Sequence, residues 1–88
     1  MATTFEVIRA EALFVSPLQA SQRPTRDKVR QAIVITLRQR GIRGCAGTVA
    51  EEFGDHPDTA VPRMTWALAT VRAVFPAAPA HVAAAVAA

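Results

Sequence analysis

Cysteine is nearly absent from this 88-residue chain. With Cys45 alone there is no internal disulfide framework, and a reducing compartment is the expected setting. No apolar run approaches the roughly 20 residues that span a bilayer. The N-terminal MATTFEVIRAE places Glu6 and Glu11 where a secretory leader needs a cationic start and an unbroken apolar stretch. The expected location is therefore cytoplasmic, with no membrane partner. Lysine is scarce too: of ten basic residues only Lys28 is not arginine, so positive charge is carried by planar guanidinium forks suited to phosphates and carboxylates. No established catalytic or metal-ligand spacing is present, and no enzyme activity, metal or cofactor is implied.

What remains is one small domain. A chain of this length holds barely one core. Although 51% of its residues are hydrophobic, many are alanine, so a monomer is expected to be marginal, and a homodimer or a larger protein partner is its natural complement. The net charge of +3 and pI near 10.5 are compatible with nucleic acid without requiring it. Distribution is more informative than total. Between Arg23 and Arg43 seven cations stand against Asp27 alone, whereas Gly44 to Thr59 holds Glu51, Glu52, Asp55 and Asp58 with no cation.

The periodicity predicts helices. Thr3 and Glu6 form a capping-box pattern ahead of a helix from about Thr4 to Phe14, with Phe5, Ile8, Ala12 and Val15 on one face. Leu13, Phe14 and Val15 would also suit a short strand. SPLQASQRPT reads as an ordered connector with Leu18 tucked inward. Thr25 caps a helix that runs to Arg40 and stops at Gly41, with Val29, Ala32, Ile33, Thr36 and Leu37 as its inward stripe. A short helix of about Ala46 to Phe53 follows, with Ala46, Val49, Ala50 and Phe53 inward and Gly54 ending it. Asp55 or Asp58 then caps a last helix carrying Met64, Ala67, Leu68, Val71, Val74 and Phe75 on its core face. Pro62 bends that helix slightly if it begins at Asp58 and kinks it if it begins at Asp55. The expected fold class is all-α: a small four-helix domain over 1–76, its N-terminal helix peripheral to a helix-turn-helix-like three-helix core, followed by an alanine-rich tail over 77–88.

Ala50 and Gly54, four apart ahead of DHPD, provide a small residue for a close helix crossing and a glycine for a turn with positive φ. With these residues the stretch Thr25 to Phe75 resembles the three-helix core of winged-helix and related helix-turn-helix regulators, without a wing. The resemblance implies a recognition helix from Thr59 to Phe75, with Thr59, Arg63 and Trp66 nearest the base edges. It also implies Arg30, Arg38 and Arg43 on the phosphates of double-stranded DNA. The same glycine turn serves packing alone in many helical proteins.

Other residues point elsewhere. Trp66 stands beside Arg63 off the core stripe, a pairing enriched at protein interfaces, although general burial statistics favour packing of Trp66 under the N-terminal helix. In that case Val34 and Ile35, which flank the inward stripe, become the better partner-binding residues. Cys45 at a helix start, approached by His56, would have a dipole-stabilised thiolate, against the simpler reading of a small buried residue. Asp55, His56 and Asp58 lack the spacing of a metal site, capping explains both aspartates, and His81 in the tail is assigned no role. Two functions follow: a non-enzymatic regulator that binds DNA as a dimer, or a helical adaptor that docks on a larger protein.

Overall fold

The computed structural model describes residues 3–76; the alanine-rich tail of 77–88, with His81, lies outside the described residues. Within them the chain forms α1 (Thr4–Val15), a 3-10 turn (Ala20–Gln22), α2 (Arg26–Asp55) and α3 (Pro57–Val74), with no strand among the described residues. The all-α class is therefore correct, but the expected second and third helices are two arms of one bent element.

The helix starts follow from local hydrogen bonding. Thr3 Oγ1 accepts from the Glu6 amide at 3.1 Å and Thr25 Oγ1 from the Lys28 amide at 3.2 Å. Each threonine thereby satisfies a donor that has no partner inside the first turn. At the far end of α1, Ser16 Oγ donates to the Leu13 carbonyl at 2.6 Å and accepts from the Leu18 amide at 3.4 Å. That turns the chain into its connector and favours helix over the short-strand alternative for Leu13 to Val15.

Gly41 divides α2. Its φ of 71° and ψ of 171° lie outside the helical region, in a basin that is essentially restricted to glycine. The first arm ends there as expected, but the second resumes at once, well ahead of Ala46. Gly44 and Gly47 are thus helical rather than a glycine-punctuated entry. The buried side chains of Cys45 and Val49 account for this, since burying that face outweighs the weak helix propensity of glycine.

Gly54 has no positive φ, and Gly41 is the only described glycine that has one. The second arm continues to Asp55, and the junction to α3 is the single residue His56, at φ −139° and ψ 60°. Pro57 favours this, because the ring of a proline disfavours the helical region for the residue before it. Neither Asp55 nor Asp58 caps α3: its cap residue is His56, which makes no side-chain capping bond, and Asp58 lies in the first turn. Ala50, expected to face inward, is exposed, so no close crossing is built on the Ala50 and Gly54 pair. α3 continues through Pro62 as one helix.

The largest correction concerns α1. Rather than lying at the periphery it is the hub, sharing more contact with α2 and with α3 than those two share with each other. Ala10, Ala12, Leu13 and Phe14 are buried, whereas Phe5, expected on the inward face, is 71% exposed. Against α1 pack Val29 and Ile33 of the first arm, Cys45 and Val49 of the second, and Ala60, Ala67, Val71 and Val74 of α3. The inward stripes expected for α2's first arm and for α3 are as observed. Phe14 stacks on Phe53 at a centroid distance of 6.1 Å, tying α1 to the second arm.

Candidate functional site

All the expected site residues but Arg43 fall into two separate groups. Thr59, Arg63 and Trp66 line one cleft of about 410 Å³ beside Gln19, Asp58 and Pro62. Arg30, Val34, Ile35 and Arg38 line another of about 480 Å³ together with Gln31.

In the first group the chemistry is directed inward. Arg63 donates from Nε to the Phe14 carbonyl at 2.8 Å, and from Nη2 to the carbonyls of Ser16 at 2.8 Å, Leu18 at 2.9 Å and Leu13 at 3.4 Å. These oxygens belong to the last turn of α1 and the connector behind it. That helix end carries partial negative charge and unpaired carbonyls, and α1 has no basic residue of its own in its last turn. Arg63 reaches across from α3 to fill that role.

Its guanidinium carbon also lies 5.2 Å from the Trp66 ring and 5.7 Å from the Phe14 ring. Burial pulls the Arg63 pKa below its ordinary value, while the carbonyls favour the charged form. Trp66 is half-buried and packed against the core. Thr59 Oγ1 donates to the His56 carbonyl at 3.1 Å. All three residues expected at base edges are thus engaged by the protein itself.

The second group faces solvent. Val34 and Ile35 are 45% and 50% exposed, and α1 covers neither. Ile35 also borders a neighbouring groove of about 350 Å³, with Leu18, Lys28, Gln31, Ala32 and Gln39 among its walls. Ile35 is therefore a ridge between two depressions. Three cations, Lys28, Arg30 and Arg38, stand around them, and no described aspartate or glutamate lines either groove.

Arg30 is also 5.7 Å from the Phe75 ring, which Arg9 approaches at 4.1 Å on its way to Phe5 at 5.9 Å. The basic, apolar surface thus continues off α2 onto the ends of α3 and α1. Arg30 makes one long ion pair with Asp27 at 4.0 Å. Arg43 is exposed, and Arg40 Nη1 bridges the Gly41 bend to Thr48 Oγ1 at 3.5 Å.

The chemical alternatives find no support in this geometry. Cys45 lies four residues past the Gly41 bend, in the opening stretch of the second arm of α2, and is buried. Burial raises its thiol pKa, with Glu11 adding to the rise and Arg40 opposing it. His56 is exposed at the far end of the same arm, about 16 Å along the helix at 1.5 Å per residue. Among the described residues no group of three His, Cys, Asp or Glu side chains is placed to hold a metal ion, and no helix is long and apolar enough to cross a membrane.

Sequence reasoning missed two features. The Arg63 clamp left no signal, because its partners are backbone carbonyls. The burial of α1 did leave one: Ala10, Leu13 and Phe14 recur at helical spacing. Comparison with protein-family models, with curated proteins and with solved structures gives no match.

Proposed function

We propose that this chain is a non-enzymatic docking module that binds another protein through the outer face of α2. The observation that carries this reading is the ridge of Val34 and Ile35, two half-exposed β-branched side chains on a rigid helix with arginines at either end. Apolar side chains in the centre of a patch with arginine at its rim are the composition enriched at protein interfaces. The reading gains from the inward engagement of Arg63 and Trp66, which takes away the competing recognition surface on α3.

A second reading keeps double-stranded DNA as the partner. It is favoured by a specific feature: Arg26, Lys28, Arg30, Arg38, Arg40 and Arg43 are all exposed, enough for contacts to phosphate along α2 without base readout.

A titration of the isotope-labelled chain followed by NMR separates the two. Helical amphipathic peptides with acidic, neutral or basic polar faces, and mixed-sequence duplex DNA, are added in turn. Saturable shifts centred on Gln31 to Arg38 with at least one peptide support docking. Binding by DNA alone, falling steeply with salt, replaces docking with phosphate contact.

A further inference from the structure

Resting on the docking reading, we infer that the occupant of this face is an acidic amphipathic helix from a different protein, its apolar stripe on Val34 and Ile35 and its carboxylates on Lys28, Arg30 and Arg38.

Charge sets the sign. The two grooves on either side of Ile35 hold three cations and no described carboxylate. A partner with basic or neutral flanks would leave this potential uncompensated, whereas carboxylates meet guanidinium groups with paired, directional hydrogen bonds. Arg38 makes no hydrogen bond or ion pair with other described residues, so it is available to a ligand without first giving up a partner.

The same charges argue against a second copy of this chain. A two-fold partner would lay α2 on α2 about Val34 and Ile35, because such an interface uses the same patch on both subunits. Arg30 would then stand against Arg38 of the copy if the helices run antiparallel, or against its own equivalent if they run parallel. Like charges opposed across an interface are destabilising, and Asp27, the acid paired with Arg30, is exposed at the end of the helix and outside both grooves.

Shape sets the secondary structure. Gln31, Ile35 and Gln39 follow one another at four-residue spacing along the ridge between the two grooves, and Arg30, Val34 and Arg38 form the parallel row across one of them. A straight ridge of this kind, with a groove on each side, accepts another helix lying alongside it, its side chains in the grooves. The surface does not end at the helix edge, since Arg30 leads to Phe75 and Arg9.

The test uses the full chain and four labelled peptides of about 18 residues, roughly five helical turns. Three share a leucine stripe and carry glutamate, glutamine or lysine on the polar face; the fourth scrambles the glutamate peptide so that no stripe remains. Fluorescence anisotropy is expected to rank the glutamate peptide about tenfold tighter than the lysine peptide and tighter than its scramble. Arg38→Glu should narrow the gap between the glutamate and lysine peptides, and Arg38→Glu combined with Arg30→Glu should reverse their order. Val34→Lys and Ile35→Lys should each weaken the glutamate peptide despite adding positive charge, with helical circular dichroism unchanged.

Equal binding by the scramble overturns the inference, leaving only charge. Equal or tighter binding by the glutamine or lysine peptide at Val34 and Ile35 overturns the acidic partner and leaves docking intact. A dimer in sedimentation that Val34→Lys dissociates overturns it in favour of a second copy. Binding by none of the peptides overturns docking as well.

Discussion

Arg63 Nε donates to the carbonyl oxygen of Phe14 at 2.8 Å, joining α3 to the end of α1 through the backbone of one and the side chain of the other. Because Nη2 serves three more carbonyls, a single guanidinium closes the last turn of α1 and fixes the path of the connector. Removing it leaves several carbonyls without a donor in a partly buried site. Arg63→Ala is expected to lower stability by about 2 kcal/mol, a figure for hydrogen bonds to a charged donor, tempered by the exposure of the site. Arg63→Lys should recover less than half of it, since a point charge cannot serve carbonyls on two sides at once. Urea denaturation midpoints at constant slope measure both.

Two glycines of α2 should respond in opposite directions. Gly41 has a φ of 71° and nothing within 4 Å of where a Cβ would lie, so its alanine variant suffers backbone strain alone, expected at about 1–3 kcal/mol. Gly47 also has open space around a Cβ but no positive φ, so Gly47→Ala should stabilise by about 0.5–1 kcal/mol through helix propensity. Thermal melts of the pair test the bend directly: equal effects would mean that the two arms form one straight helix in solution.

The Cys45 thiol should respond to pH by weakening the fold in alkali. Its folded pKa is raised by burial above the ordinary value of 9.0, so the unfolded chain ionises first. The contribution to stability is complete below the unfolded pKa and is lost as pH rises through the folded one. A stability profile from pH 7 to 10.5 should fall more steeply for the native chain than for Cys45→Ala. Alkylation of the native protein by iodoacetamide should be slow at neutral pH and fast in urea.

Core and ridge should separate cleanly. Leu13 is fully buried on α1 whereas Ile35 is half-exposed on α2. Leu13→Ala is expected to destabilise by about 2–5 kcal/mol, and Ile35→Lys to change stability by no more than about 0.5 kcal/mol. Differential scanning calorimetry of the two variants decides it. A large loss from Ile35→Lys would make the ridge part of the core.

The sequence was most legible where periodicity and capping act locally. Thr3 and Thr25 cap the helices they were expected to cap, the inward stripes of α2's first arm and of α3 hold, and Gly41 takes the positive φ that its position at the end of a basic amphipathic run implied. It was least legible where the answer depends on which faces meet. Phe5 and Ala12 lie seven apart and share a face by spacing, yet only Ala12 is buried, because α1 wedges its C-terminal half between its neighbours. Gly54 suited a turn, but Pro57 three residues later governs where the helix ends. The role of Arg63 was invisible, since no spacing encodes a bond to the backbone of a distant segment. Val34 and Ile35 were readable as a surplus of apolar surface, and that surplus is what the fold leaves uncovered.

The position of α1 at the centre of the bundle also fixes an order of events during synthesis. Phe14 leaves the ribosome 49 residues ahead of the arginine that holds its carbonyl, and α3, which covers the rest of α1, is the last of the described helices to appear. At about 5–20 residues per second the interval is about 2–10 s. Throughout it the emerging chain presents Ala10, Leu13 and Phe14 without their covering helix, so this bundle depends on its surroundings most before α3 has emerged.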